Sequence, residues 1–381
     1  MLLENQTYPE DVRVRNEAEA LAHAGWSVTV VAPRRSGQPS RATVDGVRVR
    51  RFRLPQSGGG VLGFLLEYTV AHVQLFLRGL DELRRGAEVV HLHNPPDTLF
   101  PIGLLARALG RSVVYDHHDL SPELFVSKFG SSPAVRVLAA AQRTSFRTAT
   151  IALVTNESQR EVAVASGADA ARVRVVRNGP RERSLSGSGD PRPGVLERPR
   201  LVFVGELASQ DGVMELPDLL EHPRLRGAEL TIVGDGPDRR ALEERLAARG
   251  SSARVRFEGW VPHSDVGALI AGADVCVDPA PCNPLNHRST MVKIAEYMAA
   301  ARPVVAYELV ETRRTAGEAA LYAPCGDPGA FGELVSQLAE DGEERLRRGR
   351  RGRERALELV WERSEQVLLK AYSGLGGQLP V

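Results

Sequence analysis

Val89-Val90-His91-Leu92-His93, a helical stretch from Thr98 to Leu109, then Ser112-Val113-Val114-Tyr115: two short apolar runs enclose one helix. Runs of this length that stay apolar fit strands covered on both faces, the mark of a parallel sheet between layers of helices. The same alternation extends outward in both directions. Upstream lie a helix-like Arg15–Ala24, the turn Gly25-Trp26, the run Val28–Ala32, and Val47–Phe52, which alternates apolar and basic residues as a half-buried strand does. Downstream follow Thr150–Val154 and Val173–Val176.

From Gly179 to Arg200 the pattern dissolves into Gly, Pro, Ser and Arg, and then it restarts. Leu201–Gly205, Leu230–Gly234, Val255–Phe257, Val275–Val277, Pro303–Ala306 and Ala320–Tyr322 are the expected strands of a second sheet. The expected fold is α/β, two doubly wound, Rossmann-like domains facing across a cleft. Its parts are a first domain at 1–178, a linker at 179–199, a second domain at 200–355 and a C-terminal helix at 356–381 that can cross back to the first domain. The arginine-rich stretch Glu343–Glu365 is expected to be one helix. Only Met1–Glu4 precede the loop Asn5-Gln6-Thr7-Tyr8-Pro9, so the first strand is stunted or the start codon is placed too far downstream.

The 381 residues, 43% hydrophobic and 25% charged, describe a globular chain too long for one core. A formal net charge of +1 gives no electrostatic case for nucleic acid or membrane binding. The most apolar run, Val61–Leu77, contains Glu67, His72 and Gln74 and reads as an amphipathic helix, with no transmembrane segment. The three cysteines, Cys276, Cys282 and Cys325, have no metal-binding spacing and are expected to be free thiols in a reducing, cytoplasmic compartment.

Lys128, Lys293 and Lys370 are the only lysines in an arginine-rich chain. Lys293 is therefore informative. Ser289 or Thr290 can cap a helix whose first turn holds Lys293, with Glu296 one turn on and on the same face. A lysine near a helix N-terminus conflicts with the helix dipole unless an anion binds there.

Six segments in order carry a resemblance: Glu4-Asn-Gln-x-Tyr-Pro-x-Asp-x-Arg-Val-Arg, His91-x-His-Asn-Pro-Pro-Asp, Tyr115-Asp-His-His-Asp-Leu-Ser-Pro-Glu, Asn178-Gly179, Gly234-Asp-Gly-Pro, and Asn286-x-x-Ser-Thr-Met-x-Lys-x-x-Glu-Tyr-Met-Ala. The chain resembles the GT-B, family-4-type, retaining glycosyltransferases. The resemblance implies a nucleotide-diphosphate sugar (UDP or GDP) bound mainly by the second domain and a small-molecule or lipid-linked acceptor bound mainly by the first. Glu296 would hold the nucleotide ribose, while Lys293, Ser289 and Thr290 would meet the diphosphate. Gly205 would let the phosphates approach the backbone, and Asp235 would lie beside the base. His118 would stand near the donor sugar, with Asp119 orienting its ring. Tyr8, Arg13 and Arg15 are acceptor candidates, Arg13 and Arg15 also for diphosphate contact. His93 and Asn94 either face the acceptor or buttress their loop. Phe257–Trp260 either contributes to the base pocket or, for Trp260, to the core. Neither a metal nor a resident cofactor is expected, since no Asp-x-Asp ligand pair is present. The implied mechanism is front-side attack with retention of configuration, the leaving phosphate taking the acceptor's proton.

Three departures stand out. Acids occupy Glu206-Leu-Ala-Ser-Gln-Asp211-Gly, where many relatives grip the diphosphate with a basic pair. His287 and Arg288 stand where an acid that contacts the sugar is expected, which points to an unusual donor sugar, or to one held by Asn283 and Asn286. Ala301 replaces a glycine, a small change. The acceptor expectation is a natural-product scaffold, with cell-surface polysaccharide or glycolipid assembly as the alternative. A sugar-nucleotide epimerase or an inactive nucleotide-sugar binder on the same fold remain open at this point.

Overall fold

The computed structural model describes residues 1–4, 6–54, 60–185 and 189–375. Asn5 of the first motif, part of the linker (186–188) and the end of the C-terminal segment (376–381) lie outside the described residues. The chain divides into two units, Met1–Arg177 with Ser364–Val381, and Asn178–Arg363.

In the first unit, β1 (Thr29–Pro33) pairs in parallel with β3 (Val47–Phe52), and β2 (Arg41–Val44) pairs antiparallel with β3. This hairpin corrects the expectation of purely parallel strands. Its turn is Asp45-Gly46, with φ of 48° and 78°. Asp-Gly between strands is the strongest short hairpin signal, so the sequence did contain it. A parallel ladder joins β4 (Val89–His93), β5 (Ser112–His117), β6 (Ile151–Val154) and β7 (Val173–Val175). The short N-terminal segment joins these two sheets. Leu2 bridges both Val31 and Leu92, and the amides and carbonyls of Met1–Leu3 pair with β1 on one side and β4 on the other. A one-residue bridge suffices because every backbone group in it is satisfied.

The second unit holds one six-stranded parallel sheet. Its strands are β8 (Arg200–Val204), β9 (Glu229–Val233), β10 (Val255–Gly259), β11 (Val275–Asp278), β12 (Val304–Tyr307) and β13 (Ala320–Ala323), in the order β10-β9-β8-β11-β12-β13. The order reverses between β8 and β11, so the loops leaving the C-terminal ends of those two strands flank the switch point, where doubly wound sheets bind ligands. Phe203, Ile232, Val277 and Val305 fill one face of the sheet, and Val202, Cys276, Val304 and Ala306 the other.

The stretch expected as a linker from 179 belongs to this second unit. Gly179 passes so close to the Leu359 carbonyl that a Cβ there would sit 1.7 Å from its oxygen. Pro180 O accepts the Trp361 N–H at 2.9 Å. The same crossing breaks the helix expected over Glu343–Glu365 into Gly342–Glu358 and Trp361–Ser373. Trp361 gives its amide to Pro180 instead of continuing the helical ladder. The end of the second helix packs in the first unit, where Tyr372 meets Trp26 edge-on at 5.3 Å and pairs with His91 Nδ1 at 2.7 Å.

Two other expectations are corrected. Cys282 and Cys325 are joined by a disulfide, with Cα atoms 5.7 Å apart, leaving Cys276 as a buried free thiol. Ala301 adopts φ 55°, a left-handed conformation that costs a non-glycine residue about 1–2 kcal/mol, so its replacement of glycine is not neutral. The helix Gly60–Arg84 covers the stretch expected to be amphipathic, and Ala71, Leu75 and Leu83 are buried on it. Among the described residues, no helix is long and apolar enough to cross a membrane.

Candidate functional site

The candidate residues fall into two groups, one in each unit. In the second unit, the helix Val292–Ala299 is held by packing, since Ile294, Tyr297 and Met298 are fully buried. Each such side chain contributes about 1.5–3 kcal/mol. The Tyr297 hydroxyl also accepts the Val204 N–H at 2.8 Å, fixing the helix to the end of β8. Packing on this scale tolerates a lysine in the first turn.

Lys293 is 8% exposed and its ammonium lies 4.5 Å above the Phe203 ring. It pairs with Asp211 Oδ1, and Asp278 Oδ1 is 3.4 Å away. Burial works to lower the lysine's pKa, but Asp278 and Asp211 outweigh it and raise it, so the charge is kept. Burial raises the Asp278 carboxyl, against the pull of Lys293. Gly205, at the end of β8, presents its open side to this ammonium: a Cβ there would lie 2.8 Å from Nζ. Gly234, with φ 132°, crosses so close that a Cβ would sit 1.9 Å from Gly205 O. Gly205 thus brings bare backbone to the lysine, and Gly234 packs its own backbone on Gly205. Glu296 is half-buried, 3.6 Å from His263 Nδ1, and burial raises its pKa.

Other expectations for this loop change. The helix begins at Val292 after Met291, with no side-chain cap. Ser289 does not cap it, because its hydroxyl donates to Leu285 O at 2.8 Å and its backbone is extended. It therefore does not share a helix face with Lys293 and Glu296. Thr290 is half-buried just before the helix. Asn286 is buried and its amide donates to Gln210 O and Pro281 O, while Asn283 Oδ1 accepts the Asn286 N–H. Both asparagines build the loop, and the Asn286 amide is spent there. His287 lies against Cys282 and Cys325. Asp235 is exposed and accepts the Gly236 N–H. Trp260 is 79% exposed, which removes the core alternative.

In the first unit the ends of β4 and β5 hold a buried charge network. Arg13 grips Asp116 with two bonds (Nε–Oδ2 2.7 Å, Nη2–Oδ1 2.5 Å) and donates to Val176 O. His93 Nδ1 and His118 Nδ1 meet Asp116 Oδ2 at 2.9 and 3.2 Å. Asp116, not Asp119, therefore orients His118. Burial would lower the His118 pKa, but the Asp116 bond and charge, with Asp119's charge, hold it at about 9. Burial works to raise Asp116, yet Arg13, His118 and His93 bring it well below the carboxylate range. Glu17, 0% exposed and 3.2 Å from Arg13, is pushed up to about 8 by burial and by Asp116's charge.

Of the acceptor candidates, Tyr8 is fully buried and Arg13 is buried and bonded to Asp116. His93 is also sealed inside. Asn94 buttresses the loop, accepting the His118 and Asp119 amides and donating to Asp97 and Asp119 O. His118 keeps 11% of its side chain exposed and Arg15 is half-buried, so these two remain open to a ligand. Sequence reasoning missed Asp278, Asp211 as a partner of Lys293, and Glu17. Asp278 had a signal, a lone acid directly after an apolar strand.

Residues 11–179 match the glycosyl transferase 4-like domain, and residues 198–341 match glycosyl transferases group 1. The chain belongs to the group 1 glycosyltransferases. It has the GT-B fold, with two Rossmann-like domains, and family membership sets the epimerase aside. It is 29% identical over 152 residues to a 2-deoxystreptamine N-acetyl-D-glucosaminyltransferase of Streptomyces fradiae, covering 38% of this chain and 35% of that one. It is 30% identical over 186 residues to the lipopolysaccharide core biosynthesis glycosyltransferase LpsE of Rhizobium meliloti (strain 1021), covering 48% and 51%. The matches thus span between a third and about half of these relatives' lengths. Anabaena Alr3699/HepE in complex with UDP and glucose superposes with a TM-score of 0.70 at 15% identity, over 98% of this chain and 99% of that one.

Proposed function

We propose that this glycosyltransferase moves a sugar from a UDP-sugar to a small polar acceptor of the aminocyclitol kind, with retention of configuration and without a resident cofactor. The observation that carries the donor half is the buried Lys293 ammonium set against the open side of Gly205 at the switch point of the second sheet. A preorganised cation beside bare backbone suits a leaving diphosphate, whose charge develops as the glycosidic bond breaks. Glu296, one turn on, takes the ribose hydroxyls, and exposed Trp260 offers a face for the base. UDP is favoured over GDP by the ligand of the structural neighbour, and the acceptor class by the 2-deoxystreptamine relative. The lipopolysaccharide relative supports a second reading, in which the acceptor is a cell-surface glycan.

Thermal shift with UDP, GDP, ADP and TDP tests the donor site. UDP at a hundred times its Kd is expected to stabilise the protein by about 2.7 kcal/mol. If no nucleotide moves the Tm, the donor assignment falls. Transfer from the preferred donor to 2-deoxystreptamine, compared with a lipid-linked glycan, then separates the acceptor readings.

Asp211 gives a sharper test, because its carboxylate already occupies the ammonium that the diphosphate needs. Asp211→Asn is expected to tighten UDP binding several-fold in calorimetry. Equal or weaker binding would mean that Asp211 does not compete for Lys293.

A further inference from the structure

Three side chains of the second unit that take no part in the proposed donor chemistry meet at one point. Cys282 and His287 lie on the loop between β11 and the helix Val292–Ala299, and Cys325 lies on the turn after β13. β11 and β13 flank β12 in the parallel sheet, so both segments leave the same edge. The two sulfurs and one ring nitrogen of His287 all lie within 4.8 Å of one another. His287 is also the residue that replaces an expected acid, and its environment is this cysteine pair.

The chemistry of the set is specific. Two thiolates and an imidazole suit zinc and other soft or borderline divalent cations, and disfavour magnesium and calcium, which demand oxygen ligands. Zinc bonds of about 2.3 Å to sulfur and 2.0–2.1 Å to nitrogen place ligand atoms roughly 3.5–3.8 Å apart in a tetrahedron, within reach of the observed cluster. Among the described residues, His287 Nδ1 receives a long contact, 3.4 Å, from the Val310 N–H, beyond the usual range of such a bond. Cys282 and His287 are half-buried and Cys325 is exposed, so a cation or a reductant can reach them. The remaining cysteine, Cys276, is buried within β11 and does not compete.

We propose that Cys282, His287 and Cys325 form a binding site for a soft divalent cation, zinc by preference, and that the Cys282–Cys325 disulfide is the oxidised, metal-free form of that site. The two states exclude each other. An external dithiol reduces the pair by exchange: the Sγ–Sγ bond breaks, the reductant's two thiol protons pass to the cysteines, and the reductant leaves as its own disulfide. The cation then displaces those two protons to solvent, and water fills the fourth position. Either state ties the β11 loop to the turn after β13. None of this depends on the identity of donor or acceptor.

The test uses the full chain, reduced with dithiothreitol, freed of reductant and titrated anaerobically with Co²⁺ as a visible substitute for zinc. Expected are one Co²⁺ per chain, a thiolate-to-cobalt charge-transfer band with tetrahedral d–d bands, and bleaching of both by Zn²⁺. Unreduced protein should give no bands. His287→Ala should keep the charge-transfer band but bind more than about tenfold less tightly. A Cys282→Ser/Cys325→Ser protein with an unchanged circular dichroism spectrum should give none. The proposal is overturned if reduced wild type binds no more Co²⁺ than the double serine variant. It is equally overturned if His287→Ala matches wild type in affinity and spectrum. That comparison decides alone should the serine variant not fold, because it leaves both cysteines in place.

Discussion

Lys293→Met is expected to lower turnover at saturating donor by about 10²–10³-fold, the loss seen when one preorganised donor to a developing oxyanion is removed. The same change should be costly to the fold. Lys293 sits between Asp211 and Asp278, and removing one partner of a buried ion pair costs about 3–5 kcal/mol. Much of that cost falls on Asp278, which is fully buried and whose carboxyl is already raised by burial. Without the ammonium its proton is held more tightly still. A carboxyl raised in the folded state opposes folding only above its unfolded pKa of about 4, where the unfolded chain has released the proton. The deficit of Lys293→Met should therefore grow between about pH 4 and pH 7 and shrink in acid. Urea unfolding of both proteins at pH 4.5 and 7.5 measures it. Equal deficits at the two pH values would refute the role given to Asp278.

Asp116→Asn should have an effect of similar size in the first unit. It removes the carboxylate that Arg13 grips with two bonds and leaves that buried guanidinium to Glu17 and the Val176 carbonyl, a loss of up to about 3–5 kcal/mol. It also releases His118, whose pKa of about 9 depends on Asp116 before Asp119. A histidine raised above its unfolded value of about 6.5 adds stability that is fully present below that pH and is lost as pH rises through 9. A shift of this size is worth roughly 3 kcal/mol. Wild type should thus lose stability between pH 6.5 and 9, and Asp116→Asn should lose much less over that window. NMR titration of the His118 ring gives the direct reading: its pKa should fall toward or below the ordinary value. A ring that still titrates near 9 in Asp116→Asn would transfer the role to Asp119.

Much of the scaffold was legible because its signals are local. A short apolar run such as Val89–His93 or Leu201–Val204, too short for a helix and bounded by turn residues, fits a strand buried on both faces. Gly205 and Gly234, expected as the last residues of strands, fall directly after β8 and β9, and the Asp45-Gly46 hairpin was available to be read. Misreadings came where a residue's meaning depends on a distant partner. Ser289 looks like a helix cap until its hydroxyl is found on Leu285. That Tyr8 and Arg13, named as acceptor candidates, lie in the interior of the first unit was likewise not legible. Glu343–Glu365 looks like one helix until Pro180 takes the amide of Trp361.

The sequence by itself determined the two alternating sheets, the helix that carries Lys293 and Glu296, and the family to which those residues belong, because periodicity and motif spacing act within a few residues. Tertiary structure alone decided which charges and thiols meet. Lys293 finds Asp211 across 82 residues, Arg13 finds Asp116 across 103, and Cys282 finds Cys325 across 43. The physical reason is that Coulomb attraction, desolvation and thiol chemistry act over a few ångströms in space, and only the packed sheets bring such residues that close.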